Sequence, residues 1–145
     1  MMEQVVAVFT TDHTMADITI SFSNELSVEQ WNEVWNWIAE DTSRYGDVDV
    51  PKDFNEFYSI YVPYFMDHIG LFLNGTLEAV GVIEYDNELH GFFKPNTEYP
   101  ITRAKYTRNC LLPYFDKYQK TVKGIIKDNH KAKKLAKFLG LIEEN

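Results

Sequence analysis

The pair Asn74-Gly75 stands between two apolar runs, Ile69-Gly70-Leu71-Phe72-Leu73 and Glu78-Ala79-Val80-Gly81-Val82-Ile83-Glu84-Tyr85. A two-residue hairpin turn of type I′ demands positive φ at both central positions, and Asn followed by Gly tolerates that best. The two runs are therefore expected to fold back on each other as antiparallel strands. Asp86-Asn87 repeats the signal, and Glu88-Leu89-His90-Gly91-Phe92-Phe93 supplies a third strand. Asn74-Gly75-Thr76 also matches a glycosylation sequon. Met1-Met2-Glu3-Gln4 carries neither a basic n-region nor a long apolar run, so no secretion signal is expected and the turn reading is preferred.

Around this meander the pattern alternates between strand and helix. Val5-Val6-Ala7-Val8-Phe9 reads as a short strand, and Ile18, Ile20 and Phe22 alternate with Thr19 and Ser21 at the two-residue period of another. Ser27 with Gln30 three residues on forms a capping box. Val28, Trp31, Val34, Trp35 and Ile38 then share one helical face, with Gly46 as the stop; two of the three tryptophans are read as core packing, and Trp37, off the stripe, has an exposed contact role only as the lesser reading. Residues 51–66 read two ways: Phe54, Phe57, Tyr58 and Tyr61 fit a helix face, and Tyr58–Val62 also fits a strand; a short helix is favoured, and Pro63 stops a helix either way. Pro100 suits the first turn of a further helix carrying Ala104, Leu111, Phe115 and Tyr118, kinked or restarted at Pro113. Thr121–Lys127 reads as a strand and Asp128 or Asn129 as a cap. A last helix follows over Ala132, Leu135, Ala136 and Leu139, with Gly140 just past its end. A strand–helix–strand unit attached to a meander predicts an α/β fold: a mixed, mostly antiparallel sheet with flanking helices.

At 145 residues the chain fits one domain spanning 1–145. Its single cysteine, Cys110, excludes an intramolecular disulfide and a thiolate zinc site, and is read as a small buried hydrophobe. His13, His68 and His130 show no metal-ligand spacing, so no metal site is expected. No stretch approaches the ~20 apolar residues of a membrane span, so no membrane partner is expected and the protein is placed in a reducing cytoplasm. The net charge is −8, but residues 1–100 carry −15 and residues 101–145 carry +7. Such asymmetry predicts an acidic side and a basic side, suited to docking in an assembly. Free nucleic acid is not expected to bind a chain this acidic. The lysines from Lys117 to Lys137, Lys127, Lys131 and Lys134 among them, read first as a solvated face and second as a dock for an acidic partner or for phosphates; they lack the interleaved aromatics of a base-stacking surface.

The order of elements, with Ile125-Ile126-Lys127-Asp128-Asn129 running into Leu135 and Leu139-Gly140-Leu141, resembles the GNAT acetyltransferase fold over roughly residues 65–141. The resemblance implies a V-shaped opening between the third meander strand and Thr121–Lys127, with acetyl-CoA lying in it and its pyrophosphate on the N-terminus of the following helix. It implies Phe92, Phe93, Arg103 and Asn129 as cofactor contacts. It implies His90 or Glu88, with Glu84 beside them, as the base that deprotonates an amine. The departures are equally specific. The family's pyrophosphate loop is glycine-rich; here Lys94-Pro95-Asn96-Thr97-Glu98-Tyr99-Pro100 has no glycine, two prolines without N–H, and a carboxylate where a dianion belongs. The family's proton-donating Tyr, seven residues after the Asn, is Ala136. The family's last strands have no counterpart after Gly140, so Val5–Phe9 or Ile18–Phe22 is expected either to complete the sheet or to pair with a neighbour as an edge strand.

The chain is also similar to the small GNAT-like proteins of tailed bacteriophages, which keep the strand–Asn–helix–Gly ending and lose the glycine loop. The leading expectation is a non-catalytic GNAT-like protein without cofactor. It acts through protein contacts in a phage particle or its assembly, with head or tail proteins as partners, and is found in host cytoplasm or virion. An acetyl-CoA-dependent N-acetyltransferase is the alternative, and a phage inhibitor of a host protein a further one.

Overall fold

A computed structural model describes residues 3–9, 12, 14–40, 50–118 and 130–140. Five strands, β1 (Gln4–Phe9), β2 (Met15–Ser23), β3 (Phe65–Leu73), β4 (Thr76–Glu84) and β5 (Leu89–Phe93), form one antiparallel sheet in chain order. Asn74 and Gly75 take φ of 52° and 75°, the two left-handed residues that the hairpin requires. Asn74 does more than turn. Its N–H donates to the Thr19 carbonyl (2.8 Å) and its Oδ1 accepts from the Thr19 N–H (2.9 Å), which ties the hairpin to β2. The second turn carries its positive φ at Asn87 (68°), whose N–H donates to the Glu84 carbonyl at 2.9 Å.

The two early strands both join the sheet: β2 pairs with β3, and β1 pairs with β2 on its outer side. Across the described residues the sheet is antiparallel rather than mixed. The expected strand 121–127, the caps Asp128 and Asn129, and Gly46 lie outside the described residues.

Helix α1 (Val28–Glu40) begins on the expected capping box: the Ser27 N–H donates to Gln30 Oε1 (2.9 Å) and the Gln30 N–H to Ser27 Oγ (3.2 Å). Its buried arc is Trp31, Val34, Trp37 and Ile38. Trp37, which lies off the expected stripe and has an exposed contact role as its lesser reading, is only 6% exposed. The correction has a tertiary cause: the face packed on the sheet centres on Val34, leaving Val28 exposed and Trp35 half-buried against the Phe57 ring.

Residues 54–64 are helical, as expected. They comprise α2 (Phe54–Glu56), a π turn (Phe57–Tyr61) and a 3₁₀ turn (Val62–Tyr64), with Asp53 accepting from the Glu56 N–H at 2.8 Å as the cap. The second rod repeats the device: α3 (Pro100–Tyr106), a π turn (Thr107–Leu111), α4 (Leu112–Tyr114) and a 3₁₀ turn (Phe115–Tyr118). In each rod the residue before a proline reaches back five positions, Val62 N–H to Phe57 O and Leu112 N–H to Thr107 O. A proline offers no N–H and crowds the carbonyl four residues back, so a widened turn just before it lets the chain stay helical. The last helix, α5 (His130–Phe138), ends at Gly140 with φ of 81°, the left-handed stop its sequence predicts.

β4 is buried on both faces from Leu77 to Ile83. On one face Val80 and Val82 meet Trp31, Val34, Trp37, Ile38 and Phe57, with Phe72 and Phe92 from the flanking strands. On the other, Ala79 and Ile83 meet Tyr106, Leu111 and Phe115, with Ile18, Ile20, Leu71 and Leu73 beside them. Gly81 lets the second rod approach: a Cβ there would lie 3.2 Å from the Phe115 ring.

Candidate functional site

Two clusters flank β5, one at each end. The first is built on an irregularity in β4. Leu71 pairs with Ala79 and Phe72 with Leu77, which leaves Glu78 as the extra residue of a β-bulge. Its side chain is carried inward and the residue is only 3% exposed. Glu78 Oε1 accepts a short hydrogen bond from the Thr97 hydroxyl, and Oε2 lies 3.5 Å from Lys94 Nζ. Its carbonyl accepts from the Lys94 N–H at 2.9 Å. Arg103, from the first turn of α3, donates to the Lys94 carbonyl at 2.5 Å and places its guanidinium 5.3 Å from the centre of the Phe93 ring.

The 94–100 loop is thereby closed on itself. The Lys94 amide serves Glu78, the Tyr99 amide serves Thr97 Oγ1 (3.2 Å), and positions 95 and 100 are prolines. The hollow between this loop and the Asn74 turn, lined by Leu73, Asn74, Glu78, Lys94, Glu98 and Tyr99, holds about 110 Å³. Ligand pockets run to ~300–1,000 Å³. Of the four residues expected as cofactor contacts, Arg103 and Phe93 hold this loop and each other. Phe92 is buried among the rings of the α1–α2 face, with Phe57 and Phe65 as neighbours. Asn129 lies outside the described residues.

The second cluster lies where the β4–β5 hairpin turns. His90 Nε2 is 2.9 Å from Glu84 Oε1 and 3.3 Å from Glu88 Oε1, so the structure brings both expected base candidates together with Glu84. The side chains of His90, Glu84 and Glu88 are 15%, 16% and 26% exposed. Burial pushes the Glu84 carboxyl above its ordinary range, with Asp86 and Glu88 adding to the push and His90 opposing it. Asp86, with Glu84 and Glu88 behind it, also raises the hydroxyl of exposed Tyr64. His90 Nε2 is shielded from solvent beneath the two carboxylates and has no aligned hydrogen-bond partner. A base that must meet an incoming amine needs a reachable lone pair, and in this arrangement Glu88 is the accessible member.

Glu78 was not among the expected site residues. A carboxylate inside an apolar strand was the available signal; the bulge that aims it depends on the register of two strands. Comparison with protein-family models, with curated proteins and with solved structures gives no match to this chain. No helix among the described residues is long and apolar enough to cross a membrane.

Proposed function

We propose that this protein is a non-catalytic GNAT-like domain that acts through protein contacts. The observation that carries the reading is Glu78. A buried carboxylate occupies the place where the resemblance puts the cofactor's pyrophosphate, and the loop amides that would cradle an anion are turned to Glu78 and Thr97. A dianion there would meet Glu78 and Glu98 and find two prolines. The strand and helix order over residues 65–118, with α1–α2 on one sheet face and α3–α4 on the other, supports the GNAT-like outline.

Contacts have a surface to use. Ile60 and Tyr85 are 63% and 62% exposed, and the Tyr64 and Tyr85 rings lie 6.2 Å apart beside Glu84, Asp86 and Glu88. Aromatic area edged by carboxylates suits a partner with a basic, apolar-centred patch. The similarity to phage proteins makes phage head or tail proteins the first partners to test.

Calorimetric titration of about 50 µM protein with acetyl-CoA tests the reading. A dissociation constant as weak as ~1 mM, about 4 kcal/mol, remains visible at that concentration. No saturable heat is expected. One-to-one binding would overturn the proposal in favour of an N-acetyltransferase, the second reading, for which the accessible Glu88 is the candidate base.

A further inference from the structure

The geometry points to a divalent transition-metal site formed by Glu84, Glu88 and His90, with zinc as the type ion. The inference is independent of the contact reading, because it concerns this chain alone. Its basis is the mutual placement of three ligand-type atoms from two strands. His90 Nε2 and one oxygen from each carboxylate all lie within 4.8 Å of one another. The two separations from Nε2 are 2.9 and 3.3 Å. Ligand atoms held about 2.0–2.1 Å from one ion stand about 2.9 Å apart at a right angle and about 3.4 Å apart at the tetrahedral angle. The observed distances fall on those two edges.

An ordinary imidazole–carboxylate hydrogen bond would give a similar distance. A hydrogen bond with His90 does oppose the rise of the Glu84 carboxyl, yet neither contact is well aligned as a hydrogen bond and Nε2 is shielded from solvent. A cation between the three ligand atoms would satisfy that nitrogen better. The local charge agrees. Glu84, Asp86 and Glu88 bring three carboxylates to one hairpin end, and no lysine or arginine is paired with Glu84 or Glu88 among the described ion pairs. Two carboxylates and one imidazole favour zinc-like ions over magnesium or calcium, which prefer oxygen donors alone. Entry runs past Glu88, the most exposed of the three. Three protein ligands would leave a coordination position to water or to an oxygen donor of a partner.

The test uses the full chain freed of metal with a chelator. Equilibrium dialysis against Zn²⁺ with metal quantification should give one ion per chain, and the melting temperature should rise with Zn²⁺ and fall back on adding chelator. Mg²⁺ and Ca²⁺ at the same concentration should leave it unchanged. Glu88→Gln, which preserves shape, and His90→Ala should each weaken Zn²⁺ binding at least tenfold, while melting without metal at wild-type temperatures within a few degrees. Sub-stoichiometric binding would overturn the proposal. So would Zn²⁺ binding that survives both substitutions, or a shift produced equally by Mg²⁺, the behaviour of a diffuse acidic patch.

Discussion

The two faces of the sheet are held by different means. The α1–α2 face is almost entirely rings and aliphatics: Trp31 packs against Phe57, Phe65 and His68, and Phe57 and Phe65 both against Phe92, with centroid separations between 5.0 and 6.4 Å. The α3–α4 face has a smaller aliphatic core pinned at both ends by carboxylates on the sheet. At one end Glu78 holds the loop that leads into α3. At the other, Asp67 accepts from Tyr118 (2.5 Å) and Tyr114 (3.2 Å) and pairs with Lys117 (2.7 Å). Apolar burial is non-directional and stabilises in proportion to buried area, with the rings adding only a preference for edge-to-face contact. The polar pins add less energy but fix where the second rod sits, and with it the shape of the 94–100 loop.

The contrast predicts a ranking. Trp31→Ala should be the most damaging substitution, costing about 3–5 kcal/mol by lost burial and the cavity left behind. Urea denaturation measures it, and a loss under about 1.5 kcal/mol would mean that the ring cluster collapses around the gap as a loose core would. Asp67→Asn comes next, at about 1–3 kcal/mol, since three hydrogen bonds to a charged acceptor are weakened at once. It should also change the acid limb. Burial raises the Asp67 carboxyl, but hydrogen bonds from Lys117, Tyr118 and the His68 N–H outweigh burial and leave it below 3.8. A depressed carboxylate stabilises the fold above its unfolded value and loses that contribution as pH falls from 3.8 through the folded value. At the alkaline limb burial and the bond to Asp67 raise Tyr118 to about 12 from 10.0, so its contribution is complete below pH 10 and lost between those values. Asp67→Asn should flatten both limbs; an unchanged profile would show that the pin carries no coupling.

What could be read in the chain divides along the same line. Asn74-Gly75, the Ser27–Gln30 box and the Gly140 stop were legible because each is a local contract between neighbouring residues and backbone angles. The apolar runs and the helical rods were legible from period. Trp37 was misplaced because the arc of a helix that becomes buried depends on how it sits on the sheet. The kink expected at Pro113 takes the form of a π turn, whose widened hydrogen bond has no separate sequence mark. Glu78 and Asp67 were missed for a common reason. The first owes its aim to a bulge between β3 and β4, and the partners of the second lie 47 to 51 residues away. That His90 and Glu88 lie together was legible because they sit two apart in the sequence; that Glu84 joins them follows from the hairpin between.

Glu78→Gln sharpens the comparison at the other end. The amide keeps the shape but gives up the charge that faces Lys94, so about 1–2 kcal/mol is expected. The effect on order should exceed that on stability: hydrogen exchange at the amides of Lys94 and Tyr99 should quicken while those of β3 and β4 keep their protection. Uniform acceleration across the sheet would instead make Glu78 part of the global core rather than a pin on one loop.

The smallest effect concerns the one imidazole on the ring-packed face among the described residues. His68 sits edge-on to Trp31 at 5.0 Å, and its buried Nε2 has no hydrogen-bond partner. Burial lowers its affinity for a proton, and the neighbouring Asp67 offsets only part of that. The unfolded chain therefore takes up a proton near pH 6.5 while the folded chain resists, so stability should decline as pH falls from 6.5 towards the lower folded value. Solvent reaches part of the ring, which keeps the slope shallow. Acidification changes the charge of the whole molecule, so the informative quantity is a difference: the melting temperature of wild type minus that of His68→Leu, between pH 7.5 and pH 5. That difference should shrink on acidification if the ring face resists a charge, because only the wild type carries the imidazole that resists protonation. A difference independent of pH would mean that His68 swings out to water on protonation.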